Sequence, residues 1–68
     1  IMSNNERMEY WINRLEKIQK SIVSTIDNKE LTEEEKETKI HEYSFHMVEA
    51  TFVIEGYQAL LYKKVPGF

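Results

Sequence analysis

Two helix-start motifs divide this chain of 68 residues, and they constrain its fold more than any other feature. Ser3 is followed three residues later by Glu6, and Thr32 is followed three residues later by Glu35. In such a capping box the hydroxyl accepts a hydrogen bond from the main chain of the first helical turn, and the carboxylate accepts one from the capping residue. The two boxes therefore predict one helix that begins near residue 4 and a second that begins near residue 33.

The apolar residues after the first box recur in steps of one, three and four, which is the spacing of one helix face. They are Met8, Trp11, Ile12, Leu15, Ile18, Ile22, Val23 and Ile26. The pattern stops at Asp27 and Asn28. We expect Asn28 to end the helix in the left-handed conformation, because asparagine adopts it more readily than most residues. The first helix is thus predicted to cover about residues 4–27.

The second helix is predicted to be the longer one. Its apolar pattern continues to Lys63, and the tail at 64–68 contains a Pro-Gly pair that cannot continue a helix. We expect a helix over about residues 33–63, joined to the first by a turn at about 28–32.

Gly56 is the weak point of the second helix. A glycine in a helix interior costs about 1 kcal/mol relative to alanine. A short β-hairpin over residues 51–62 is therefore the alternative, although Glu-Gly is a poor two-residue hairpin turn. The flanking residues do not alternate cleanly between apolar and polar, and this favours the helix.

A connection of about five residues makes the two helices antiparallel neighbours. The predicted fold is all-α, an antiparallel two-helix hairpin that forms a single domain over residues 1–68. Trp11 should face Ala50, a large side chain against a small one, as a packed core requires. The predicted core residues are Met8, Trp11, Leu15, Ile18, Ile22, Ile40, Tyr43, Met47, Ala50, Ile54, Tyr57 and Leu61.

The second helix carries a further apolar stripe, on the side away from its predicted core residues. One neighbouring helix covers only one side, and a contiguous exposed apolar surface usually marks an interface. We predict a homodimer that forms a four-helix bundle, and the alternative is that the tail at 64–68 folds back over the stripe. The predicted interface residues are Phe45, Val48, Phe52, Ala59, Leu60 and Tyr62.

The stretch HEYSFH at residues 41–46 differs by one residue from the HExxH motif of zinc proteases. His41 and His46 are five residues apart, about 140° around a helix, so a regular helix cannot direct both at one ion. Glu42, His46 and Glu49 share a face and could bind a divalent metal between two copies. Such a set is also typical of solvated helix surface, and we predict no metal site and no cofactor.

Composition excludes several classes of function. The chain has no cysteine, which excludes disulfides and thiolate zinc sites. No apolar run approaches the roughly 20 residues of a membrane-spanning helix. The glycines are Gly56 and Gly67, so no glycine-rich phosphate loop exists, and no serine lies in a triad pattern. We therefore expect a protein that is not an enzyme and has no membrane partner.

The charge balance is acidic, with 9 Lys and Arg against 12 Asp and Glu, whereas proteins that bind phosphate backbones usually show clustered basic residues. We expect a small bacterial or phage regulator in the cytoplasm that binds a protein partner through helical apolar surface. The alternative is a dimeric nucleic-acid-associated protein that uses basic residues of the first helix. Those residues are Arg7, Arg14, Lys17 and Lys20.

Overall fold

The computed structural model describes residues 1–63 and shows two α-helices that pack against each other. Helix α1 covers Asn4–Asp27 and helix α2 covers Glu33–Tyr62. The predicted all-α helical hairpin is confirmed, and residues 51–62 belong to α2 and do not form a β-hairpin. The predicted tail at 64–68, with the alternative that it covers the second stripe, lies outside the described residues.

Both capping boxes form. The Ser3 hydroxyl accepts a hydrogen bond from the Glu6 N–H at 3.2 Å, and the Glu6 carboxylate accepts one from the Ser3 N–H at 3.3 Å. Thr32 and Glu35 repeat this exchange at 3.1 Å in both directions. The hydrogen bond from the Thr32 main chain is the main cause that lowers the pKa of Glu35 below its ordinary value. The stabilisation that the Glu35 carboxylate provides is therefore present near neutral pH, and it is lost as the pH falls through the lowered pKa of Glu35.

The residues that end the two helices have different backbone conformations, and the end of α1 differs from its predicted conformation. The prediction that Asn28 is left-handed is wrong, because its φ and ψ are −76° and 109°. Its side-chain oxygen accepts a hydrogen bond from the Glu30 N–H at 2.9 Å, so Asn28 starts an Asx turn. The left-handed residue is Lys63, with φ 51°, and α2 therefore ends at Tyr62, one residue earlier than predicted.

A side chain of α2 holds the end of α1. The carbonyls of a last helical turn carry partial negative charge, and α1 has no basic residue in that turn. The Lys36 ammonium, in the first turn of α2, donates a hydrogen bond to the Ile26 carbonyl at 2.8 Å. It also lies 3.9 Å from the Glu33 carboxylate, and 18% of the Lys36 side chain is exposed. This contact holds the first turn of α2 against the last turn of α1.

The contact between α1 and α2 buries few side chains completely. In the described part of the chain the fully buried apolar residues are Ile18 and Ala50, and Thr25 is the buried polar residue. The Thr25 hydroxyl is satisfied by the Ser21 carbonyl at 2.8 Å. The remaining predicted core residues are half-buried: Met8, Trp11, Leu15, Ile22, Ile40, Tyr43, Met47, Ile54, Tyr57 and Leu61. The hairpin alone therefore has a thin core.

The apolar stripe of α1 is narrower than its sequence spacing indicates. Ile12, Val23 and Ile26 are exposed. At about 100° per residue, Ile12 and Val23 lie about 120–140° around α1 from the buried Ile18, which is farther than one neighbouring helix covers.

Trp11 is half-buried and is shielded partly by its own helix. The Arg14 guanidinium lies over the indole at 5.7 Å from the ring centroid. The Tyr10 ring meets the indole edge to face, with centroids 5.8 Å apart. Its predicted partner Ala50 is completely buried. Trp11 thus packs against two side chains of its own helix, and its predicted position opposite Ala50 stays a prediction.

Trp11→Ala is expected to lower the free energy of unfolding by about 3 kcal/mol, the lower end of the range for a buried aromatic, because the ring is half-buried. Tyr10→Ala is the matched control, since Tyr10 is 54% exposed, and it should cost less than about 1 kcal/mol. Urea unfolding of the two variants measures the difference. Equal losses would show that Trp11 does not face α2.

Lys36→Met is expected to cost about 1 kcal/mol, because it removes the ammonium at the end of α1 and keeps most of the apolar stem. Lys20→Met removes an exposed charge from the outer surface of α1 and serves as the control. Urea unfolding again provides the measurement. If the two variants unfold at the same denaturant concentration, the contact between Lys36 and Ile26 contributes nothing to stability.

Candidate interaction surface

The face of α2 opposite α1 is apolar and largely exposed. We call this face the outer strip, and it consists of Phe45, Val48, Phe52, Ala59, Leu60 and Tyr62. Phe45 is the most exposed of them at 78%, and Ala59 is half-buried. The four others are between 53% and 66% exposed. At about 100° per residue, Phe45, Val48, Phe52 and Ala59 lie within about 60° of one another around α2, whereas Leu60 and Tyr62 lie on the two margins of this face.

The outer strip exists because α2 has apolar residues on more than one side. Ala50 is completely buried, which identifies the side of α2 that faces α1. Ala50 and Phe52 are two residues apart, about 200° around the helix, so they point to opposite sides. Polar residues such as Glu42 and Glu49 are exposed beside the outer strip, so α2 is apolar on two opposite sides. Within residues 1–63, neither helix is long and apolar enough to cross a membrane.

The size of the outer strip is unusual for a chain this small. Weighted by their exposed fractions, its five large side chains present on the order of 600 Å². The largest apolar patch of a typical monomer covers about 300–600 Å², and such patches are often functional. The area also approaches the roughly 800 Å² that each partner contributes to a standard protein interface. The outer strip is therefore large enough for a specific contact.

Two shallow depressions lie along α2. The first is lined by His41, Ser44, Phe45 and Val48. The second is lined by Val53, Gly56, Tyr57 and Leu60. A Cβ atom built on Gly56 meets no atom within 4 Å, so nothing in the hairpin requires a glycine there. The backbone of α2 is thus accessible from outside at Gly56, close to the outer strip.

The polar residues near the outer strip form no evident reaction centre. Among residues 1–63, no three His, Asp or Glu side chains lie close enough together to hold a metal ion, and this includes the set Glu42, His46 and Glu49. The Ser44 hydroxyl donates a hydrogen bond to the Ile40 carbonyl at 2.8 Å. The serine side chain therefore contacts its own helix backbone.

The basic residues of α1 differ in how exposed they are. Arg14 lies over Trp11, and its Nε atom is buried with no hydrogen-bond partner among the described residues. Arg7, Lys17 and Lys20 are exposed. The role of Arg14 did not emerge from the sequence, although a Trp-x-x-Arg spacing puts the two side chains on one helix face and would have indicated it.

The sequence was compared with protein-family models, with curated proteins and with solved structures, and none of these matches it. The surface of the hairpin is therefore the basis for a functional proposal.

Proposed function

We propose that this protein is a small, non-enzymatic interaction module whose outer strip binds apolar helical surface, in the first place a second copy of itself. The observation that carries the proposal is the exposure of Phe45, 78%, at one end of a line of apolar residues. The same helix buries Ala50 completely on its other side. A protein that used α2 only to complete a hairpin would have no need of a second apolar face.

The energetics of a small chain support self-association. Chains of this size bury only about 60% of their unfolded surface and often gain stability from metals, disulfides or oligomers. This chain has no cysteine, and Ile18 and Ala50 are the fully buried apolar residues of its described part. Burying one phenylalanine contributes about 1.5–3 kcal/mol. A dimer buries Phe45 twice, which helps to offset the entropy lost on association.

Electrostatics favour a protein partner over nucleic acid. The net charge is −3, and an acidic protein lacks the general attraction to phosphate that dominates nucleic-acid affinity. Arg14 is placed over Trp11, and Lys17 and Lys20 are exposed. Nucleic-acid binding is therefore the competing function, and a binding assay tests it directly.

Phe45→Glu is expected to convert a dimer into a less stable monomer, because it puts a charge into the apolar contact. Sedimentation equilibrium should give twice the chain mass of 8.2 kDa for the parent and 8.2 kDa for the variant. Gln19→Glu, on the exposed surface of α1, adds the same charge elsewhere and should remain dimeric. A parent protein that stays monomeric at high micromolar concentration contradicts the proposed self-association.

Fluorescence anisotropy with labelled duplex DNA and single-stranded RNA tests the competing function. We expect no binding at low salt, where phosphate contacts are strongest. Binding that weakens as salt rises, and that is reduced by Lys17→Gln together with Lys20→Gln, would instead establish the nucleic-acid function. The double variant also shows whether any binding uses these two lysines of α1.

A further inference from the structure

We propose that the two copies pack through α2 alone, antiparallel, about a two-fold axis close to Phe52. The four helices then form a single layer, in the order α1, α2, α2 of the second copy and α1 of the second copy. This inference rests on the proposed self-association and specifies its geometry. It replaces the compact square bundle that a dimer of hairpins would ordinarily suggest.

The layer follows from the directions of the two apolar faces of α2. In a square four-helix bundle, each helix contacts two neighbours at about a right angle to each other. On α2 the face toward α1 contains Ala50 and the outer strip contains Phe52, about 200° away. The second copy and α1 must therefore lie on opposite sides of α2. Helix α1 remains at the outside of the assembly.

Side-chain size sets the antiparallel direction. Along the centre of the outer strip, Phe45 and Val48 come before Phe52, and Gly56 and Ala59 come after it, while Leu60 and Tyr62 lie on the margins. With the axis at Phe52, an antiparallel contact places Phe45 opposite Ala59 and Val48 opposite Gly56 of the second copy. A parallel contact would place Phe45 against itself and Gly56 against itself, which leaves a void that close packing does not tolerate.

Charge favours the same direction. The first half of α2 carries Glu42 and Glu49 beside the outer strip, and Lys63 follows its last residue. The antiparallel register brings Glu42 close to Lys63 of the second copy. A parallel register places each of these charges level with its own copy. The antiparallel register places Glu49 level with Glu55 of the second copy, so the pair of Glu42 and Lys63 is the one that favours this direction. Exposed pairs of this kind contribute little affinity but do select orientation.

The open backbone at Gly56 fits this register. No atom of the hairpin lies within 4 Å of a Cβ built there, so the space belongs to whatever covers the outer strip. In the antiparallel register that space receives Val48 of the second copy. Two outer strips of roughly 600 Å² set an upper limit of about 1,200 Å² for the buried area, which is the lower limit of a standard interface.

Thiol cross-linking tests the register directly, because the chain has no cysteine of its own. Ser44, Thr51 and Gln58 are exposed, lie seven residues apart and follow one margin of the outer strip. At about 1.5 Å per residue, the distance along the helix axis between a residue and the same residue of the second copy follows from the register. This distance is about 3 Å for Thr51, about 18 Å for Gln58 and about 24 Å for Ser44. Each is replaced singly by cysteine and treated with a short bismaleimide.

We expect Thr51→Cys to give a covalent dimer by itself, and neither Ser44→Cys nor Gln58→Cys to do so alone. A mixture of Ser44→Cys and Gln58→Cys should cross-link, because these two positions lie about 3 Å apart along the helices of different copies. Lys17→Cys on α1 should not link to any of the three. A covalent dimer from Ser44→Cys alone or Gln58→Cys alone would contradict the antiparallel register, and a link from Lys17→Cys would place α1 in the interface. Either result overturns the inference.

Sedimentation equilibrium under reducing conditions separates this inference from the proposed function. If each variant has a dimer mass but the cross-linking pattern differs from the expected one, the proposed layer is wrong and self-association still holds. A monomer mass for the parent protein overturns both.

Discussion

The structure depends on one constraint: a single helix covers only one side of its neighbour, and α2 is apolar on two sides. The short connection gives α2 one helix to lie against within the described residues. The hydrogen bond from Lys36 to the Ile26 carbonyl ties the first turn of α2 to the last turn of α1. The side of α2 that contains Ala50 is thereby covered, and the side that contains Phe45 faces outward.

The same constraint links folding to association. Local signals are strong, because each helix begins with a complete capping box. Tertiary packing is weak, because Ile18 and Ala50 are the fully buried apolar residues of the described chain. Most helical stability in proteins comes from packing of an apolar face and only a small part from capping. A partner that binds only the folded hairpin therefore adds directly to its stability.

The sequence was sufficient for features that depend on neighbours along the chain. Helix starts followed from the Ser3 and Thr32 boxes, and the period of 3.6 residues separated the two faces of α2. Features that depend on competing or distant hydrogen bonds were missed. The Asn28 side chain accepts a hydrogen bond from the Glu30 N–H, and the Asn28 backbone does not adopt the left-handed conformation. Lys36 reaches a carbonyl ten residues away, which only the geometry of the turn brings within range.

Gly56 shows where local and global requirements diverge. A glycine in the interior of α2 weakens the helix by about 1 kcal/mol relative to alanine, and the hairpin places nothing near it that would require one. Positions that break a local rule without any local gain are often the ones that serve an external contact. Gly56 lies on the same side of α2 as Phe45 and Ala59, about 20° from the direction of Phe45. The residue that most weakens α2 as an isolated helix therefore lies on the side that α1 cannot reach, where the proposed second copy would approach its backbone.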